Sequence, residues 1–358
     1  MNHRLTFIVP GDPGQRTGGY LFDARIVDEL RGLGWRIEVV GLEGRFPDVD
    51  ELARGAMARV LAGMPDGARV VIDGLALGGV PDAVLPHADR LDITALVHHP
   101  LADETGLKPA LRERLLGRET SALAACRRVI VTSAFTAMRL GELGLDSRPP
   151  VVVEPGVETA DLAGPVADRL AGREPGGPER LLCVASLTPR KGQDILVGAL
   201  AGLVERRWHC VLAGSSARDE AFAMKVVERI AEAGLEARVE CIGECQPDAL
   251  DAAYHSAGLC VLPSRYEGYG MVVTEALARG LPVITTTGGA LAETAPDDCC
   301  LKVAPGDFVG LREALAGWFD DAQMRLSMTR AAVARRETLR DWKAAGREFA
   351  LALDRDPG

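Results

Sequence analysis

The chain has 358 residues, 47% hydrophobic but only 4% aromatic, and a net charge of −10. That length suits two domains of ordinary size, and the apolar content excludes a disordered chain. The acidic balance argues against nucleic acid as a principal partner, since that binding is driven by phosphate neutralisation. An anionic ligand would need a local cationic pocket instead.

Short Val- and Leu-rich strands alternate with amphipathic stretches along the whole chain, the pattern of βαβ units and parallel sheets. In the first half, strands are predicted near 4–9, 36–41, 69–73, 92–97, 128–132 and 150–153. Helices are predicted over 20–33, 50–63, 107–126 and 134–143. The first strand, Leu5-Thr6-Phe7-Ile8-Val9, has no basic and apolar targeting stretch before it, and no apolar run is long enough to span a membrane. A cytoplasmic protein is expected.

After Val153 the composition changes to Glu154-Pro155-Gly156-Val157 and then a stretch ending Gly172-Arg173-Glu174-Pro175-Gly176-Gly177-Pro178. Pro and Gly at this density predict a linker and surface loop. The second half repeats the first, with strands near 180–186, 208–213, 238–242, 258–262, 282–286 and 300–303. Helices are expected over 192–205, 218–233, 247–256, 271–279 and 307–319. The predicted division is a domain of residues 1–155, a second of 156–340, and a terminal helix in 341–358 that packs back on the first domain. Six cysteines (Cys126, Cys183, Cys210, Cys241, Cys260 and Cys300) fall at strands or helix ends and read as buried free thiols. No His spacing completes a zinc set around Cys241 and Cys245 or Cys299 and Cys300, so no structural metal is expected.

The most informative segment is Leu262-Pro263-Ser264-Arg265-Tyr266-Glu267-Gly268-Tyr269-Gly270-Met271-Val272-Val273-Thr274-Glu275-Ala276. A strand ends, a glycine loop lets backbone approach a ligand, and a helix starts near Gly270 with unpaired N–H groups toward an anion. Glu275, one turn into the helix, can accept hydrogen bonds from the diol of a ribose, and Glu267 can do the same for a sugar hydroxyl. A second element, Ala185-Ser186-Leu187-Thr188-Pro189-Arg190-Lys191-Gly192, places two cations before a helix N-terminus, a local anion site in an acidic protein.

The Pro-Ser dipeptide followed by Glu267, seven residues and Glu275 resembles the signature of family 4 of the retaining glycosyltransferases. The likeness extends to Gly280-Leu281-Pro282-Val283-Ile284, to Gly288-Gly289 with Glu293, and to Gly243 with Leu250, Tyr254 and Ala257. It recurs in Pro155-Gly156-Val157 and in Val131-Thr132-Ser133 with Thr136 and Leu140. The resemblance implies the GT-B fold, α/β, with two Rossmann-like doubly wound domains facing a central cleft. It also implies a hexosyltransferase that retains anomeric configuration without a bound metal or cofactor.

By the same resemblance, Lys191 holds the donor diphosphate. The family usually has Gly-Arg where this chain has Ala185-Ser186, and Arg190 is the candidate replacement. The implied donor site, for a UDP- or GDP-hexose, comprises Arg190, Lys191, Gly243, Glu267, Gly268, Tyr269, Gly270, Met271, Val272 and Glu275, with Gly18 and Gly19 of the first-domain glycine loop. The implied catalytic set is His99, Arg190, Lys191 and Glu267, with His99 preferred over its neighbour His98 as the histidine beside the reacting sugar. The acceptor would be a small molecule, lipid or glycan. The six basic residues of 108–128 admit a peripheral membrane contact or a solvated helix face. Asp48-Val49-Asp50 imitates a metal-binding pair but precedes a helix, and is discounted. An epimerase of the same fold, or a nucleotide-sugar-binding protein without transfer, are the alternative readings.

Overall fold

The computed structural model describes residues 3–145, 148–173 and 177–355. Glu174, Pro175 and Gly176 of the expected linker, and residues 356–358 of the expected terminal segment, lie outside the described residues.

The chain forms two units, one of residues 1–156 with 340–358 and one of 157–339. The first begins β1 (Arg4–Pro10), α1 (Gly18–Gly32), β2 (Arg36–Leu42), α2 (Glu51–Ala62) and β3 (Arg69–Asp73). Two single-turn helices follow, α3 (Gly74–Leu77) and α4 (Pro81–Val84), then β4 (Asp92–Val97), α5 (Pro109–Ala124), β5 (Arg128–Val131), α6 (Ala134–Glu142) and β6 (Val151–Val152). All its strands are parallel, in the order β2-β1-β3-β4-β5-β6. Ile8, Val70, Ile72, Ile93 and Val129 share one apolar core with α2 residues Met57 and Leu61, so the sheet is buried under its helices.

The second unit runs α7 (Gly164–Leu170), β7 (Glu179–Val184), α8 (Gln193–Ala201), β8 (Trp208–Ala213), α9 (Glu220–Glu232) and β9 (Val239–Gly243). It continues through α10 (Pro247–Ser256), β10 (Leu259–Leu262), α11 (Met271–Ala278), β11 (Val283–Thr286), α12 (Leu291–Thr294) and β12 (Cys300–Val303). It ends in α13 (Phe308–Asp320) and α14 (Ala322–Arg335). Strand alternation divides its core in two. Leu181, Cys210, Leu212, Leu259 and Val261 pack on one face, and Leu182, Val211, Cys260 and Leu262 on the other. Read from the β9 edge the order is β9-β8-β7-β10-β11-β12, all parallel, which reverses direction between β7 and β10. In such sheets the crevice beyond the carboxyl ends of the strands at that reversal is where ligands bind. The last helix, α15 (Trp342–Asp354), belongs to the first unit, where Trp342 lies edge-on to Phe22 of α1 at 5.9 Å.

Two sequence expectations need correction. Within the stretch read as linker and loop, residues 164–170 form helix α7, because Pro165 stands in its first turn, where a missing N–H breaks no helical bond. Its Arg169 is buried against Glu179 (3.1 Å) and lies 5.1 Å from the ring of Trp318. All eight cysteines are free, but Cys241 is exposed, not buried; Cys299 is the sixth buried thiol in its place. The β9 residues Glu240 and Cys241 both face solvent on an edge strand.

Candidate active site

The reversal between β7 and β10 makes neighbours of two loops that are more than 70 residues apart in sequence, the one after β7 and the one after β10. Three backbone and side-chain ties lock them. Arg265 N–H donates to the Arg190 carbonyl at 2.7 Å, the Arg265 guanidinium pairs with Asp194 at 3.0 Å, and it also donates to the Pro189 carbonyl. Gly192 between the cations and α8 has φ of 70°, and a Cβ there would lie 2.2 Å from the Pro263 carbonyl oxygen. Only glycine admits both that conformation and that approach.

The result is a cluster in which Glu267 meets both expected cations. Lys191 Nζ lies 2.5 Å from Glu267 Oε1, Arg190 Nη1 is 3.5 Å from Oε2, and the Ser264 hydroxyl donates to Oε1 at 2.6 Å. Arg190 also donates to the Tyr266 carbonyl at 3.1 Å. Glu267 is buried, with 7% of its surface exposed. Burial would raise its carboxyl, but Lys191, then Arg190, and the hydrogen bonds from Lys191 and Ser264 outweigh this and hold it below the usual carboxylate range. Burial, opposed by Glu267 and aided by Arg190, holds Lys191 below the ordinary lysine value. Two cations thus converge on one carboxylate, a local concentration of positive charge of the kind an anion needs in an acidic protein.

The glycines downstream also find a reason. The Glu267 carbonyl accepts from Ala290 N–H at 2.9 Å, and a Cβ on Gly289 would stand 2.3 Å from that oxygen. Gly288-Gly289 therefore supports the Glu267 loop from below. Gly270, at φ 94°, turns the chain into α11, so the free N–H groups of Met271 and Val272 open that helix. One turn on, Glu275 Oε2 accepts from the Tyr254 hydroxyl at 2.8 Å, and Tyr254 is itself buried under the Arg279 guanidinium at 4.4 Å from its ring. Gly268 and Tyr269 are half-buried in the same loop, and the Tyr269 carbonyl accepts from Thr294 at 2.7 Å. Gly243 ends β9, where its carbonyl accepts from Gly214 N–H at 2.8 Å.

The first unit places its candidates differently. Gly18 and Gly19 are the first residues of α1 and not part of the loop before it. A Cβ on Gly19 would lie 3.2 Å from the His98 ring, so the missing side chain makes room for an imidazole. His98 Nε2 stands 3.1 Å from Asp23 Oδ1 and 3.3 Å from Asp73 Oδ2, both carboxylates buried. His99, the preferred histidine, pairs with Glu104 of its own loop at 3.4 Å. The rigidly held imidazole is therefore His98. Neither aspartate was singled out from the sequence. The available signals were Asp23 inside the apolar stripe Phe22, Ile26, Val27 and Leu30, and Asp73 at the carboxyl end of Val70-Val71-Ile72. Asp50 caps α2 through Ala53 N–H at 2.9 Å and Asp48 pairs with Arg114 at 2.7 Å, which accounts for that acidic pair. Arg128, of the basic stretch, is committed to Asp92. Among the described residues, no helix is long and apolar enough to cross a membrane.

Residues 167–335 match the family described as glycosyl transferases group 1. Two curated relatives illustrate the likeness. The lipopolysaccharide core biosynthesis mannosyltransferase LpsB of Rhizobium meliloti is 31% identical over 205 residues, covering 54% of this chain and 55% of that one. The D-inositol 3-phosphate glycosyltransferase of Corynebacterium aurimucosum is 32% identical over 251 residues, covering 64% and 59%. The matches thus span a little over half the length of these relatives. Among solved structures, sucrose-phosphate synthase from Thermosynechococcus elongatus superposes over 98% of both chains with a TM-score of 0.80 at 21% identity. Anabaena HepE, solved with UDP and glucose, gives 0.75 at 17% identity over 98% of this chain and 99% of that one. These likenesses show the fold, two Rossmann-like units of the GT-B class.

Proposed function

We propose that this protein, whose residues 167–335 match the glycosyl transferases group 1 family, moves a hexosyl group from a nucleoside diphosphate sugar to an acceptor hydroxyl with retention of configuration. The observation that carries this reading is the meeting of Arg190, Lys191 and Glu267 at the strand reversal of the second unit. Lys191 and Arg190 face the diphosphate with the amides of Met271 and Val272, Glu275 takes the ribose, and Glu267 orients the sugar. Tyr254 holds one Glu275 oxygen and so fixes the carboxylate for its diol. Because HepE was solved with UDP and with UDP-glucose, a uridine donor is the first choice over a guanosine one. The names of the relatives favour a glycan or polyol acceptor.

In the proposed step the bond from the sugar C1 to the diphosphate oxygen breaks while a bond from C1 to the acceptor oxygen forms on the same face. The acceptor proton passes to the departing phosphate. No side chain is asked to form a covalent intermediate, and no divalent ion is asked to neutralise the leaving group, because the two cations do so. Stabilising that charge is then the main catalytic contribution.

Lys191→Ala tests the reading. Arg190 and Ser264 remain on Glu267, so the variant should fold and should lose about 10²–10³-fold in turnover, the scale for removing one charge-stabilising donor. Sugar transfer from UDP-glucose to an acceptor panel is the measurement. Undiminished transfer removes Lys191 from the mechanism. Release of an altered free sugar with no acceptor would point to an epimerase of the same fold.

A further inference from the structure

The first unit holds an ionic cluster that the proposed chemistry does not yet use. His98 follows β4, Asp73 ends the adjacent β3, and Asp23 projects from α1. The imidazole turns Nε2 inward, toward Asp23 Oδ1 at 3.1 Å and Asp73 Oδ2 at 3.3 Å. The ring edge and the backbone carbonyl are also held. Phe22 meets the ring edge-on at 5.4 Å, Gly19 leaves space above it, and the His98 carbonyl accepts from the hydroxyls of Thr136 and Thr132 at 3.3 and 3.4 Å. Asp73 is oriented by Leu75 N–H, which donates to its other oxygen at 2.7 Å. Asp23 is 4% exposed, and its Oδ2 is buried with no hydrogen-bond partner among the described residues.

One nitrogen facing two acceptors must carry a proton. Two buried carboxylates with no Arg or Lys on either, among the described residues, require a positive charge beside them. His98 is the group that can supply it, and doing so protonates Nδ1 as well. That nitrogen has no partner among the described residues and is not buried.

We infer that Asp23 and Asp73 are positioning residues that keep His98 an imidazolium, its Nε2–H engaged inward and its Nδ1–H offered as a charged donor to a substrate hydroxyl at the first unit. The inference rests on the transferase reading for what the donor meets, and on geometry alone for its charge. The electrostatics agree. Burial alone would lower His98, but the charge and hydrogen bond of Asp23, seconded by Asp73, raise it to about 10. Burial raises Asp23 to about 7 against the pull of His98, with Asp73 pushing the same way.

The test uses the full chain, without donor, labelled with 15N-histidine. Long-range proton–nitrogen spectra from about pH 6 to about pH 9 follow each imidazole, with His98 assigned by its loss in His98→Gln. Both His98 nitrogens should stay at imidazolium positions throughout, while in Asp23→Asn and Asp73→Asn the residue should titrate closer to the ordinary value of about 6.5. A neutral wild-type tautomer near pH 7.5, or His98 titration unmoved by both substitutions, overturns the assignment. Kinetics then test the role. Each Asn variant should lose about tenfold to a hundredfold in kcat with little change in KM, and should gain a pH limb set by the freed histidine. Full kcat with an unchanged pH profile would make the aspartates structural only. Because the spectra need no turnover, they decide the charge state even if the assay finds no transfer.

Discussion

The two units each bury a three-membered ionic cluster at the carboxyl ends of their strands, and the two are opposite in charge balance. In the second unit one carboxylate, Glu267, serves two cations, Arg190 and Lys191. In the first, one imidazole, His98, serves two carboxylates, Asp23 and Asp73. The first arrangement holds a carboxyl below its usual range and stays charged; the second pushes one carboxyl up to about 7 and stores a proton. An excess of fixed cations suits a diphosphate, whereas a proton shared between acids and a histidine suits a neutral or weakly charged partner such as a hydroxyl.

The sharpest way to break this comparison is to remove the minority charge from one cluster and a majority charge from the other. Glu267→Gln removes the buried carboxylate that both Lys191 and Arg190 face, so a loss of about 3–5 kcal/mol in urea unfolding is expected, partly restored by UDP or phosphate. Asp23→Asn leaves His98 paired with Asp73 and should cost less than about 1 kcal/mol. Equal losses at the two sites would mean that the charge imbalance has no energetic consequence.

Next in size is a pair of glycines. Gly192→Ala forces a left-handed residue against the Pro263 carbonyl, which costs about 1–3 kcal/mol from backbone conformation alone and displaces Lys191. Gly19→Ala meets a ring edge and gains helix propensity, so its net effect should stay within about 1 kcal/mol while the His98 resonances move. Thermal unfolding of both, with spectra of the second, checks the contrast.

A further effect, which depends on pH, concerns a carboxylate that belongs to neither cluster. Glu119 is buried, accepts from Leu101 N–H at 3.0 Å with one oxygen, and has no partner for the other among the described residues. Burial raises its pKa from an ordinary 4.5 to about 8, so the folded chain binds a proton that the unfolded chain releases. Its contribution to stability is present below pH 4.5 and falls away as the pH rises toward 8. Glu119→Gln should match the wild type at pH 4 and exceed it increasingly toward pH 8, read as a widening gap in Tm. Parallel curves would show that Glu119 ionises normally.

Much of the second unit's site was legible because its parts are local. A strand, a glycine turn and a helix start are written in consecutive residues, and Glu267 and Glu275 sit on one such element. The same holds for Arg190-Lys191 before α8. What adjacency could not give is the tie between those loops: Arg265 reads as one more charged loop residue until it is seen on Asp194. The first unit was harder. Gly18-Gly19 suggested a phosphate loop, whereas the space at Gly19 accommodates His98, and strand alternation could not rank His98 against His99 because both lie beyond the end of β4.

By itself, then, the amino-acid order determined the alternation of strands and helices, the repeat of that plan in two units, and the residue types gathered at each strand end. These follow from local periodicity and turn chemistry, which each short segment carries alone. Tertiary structure decided which strand ends become neighbours. Strand order placed β10 beside β7 and β3 beside β4, and with them Glu267 beside Lys191 and Asp73 beside His98. Charge balance is a property of such neighbours, because ionic energies depend on separation in space and on exclusion of water.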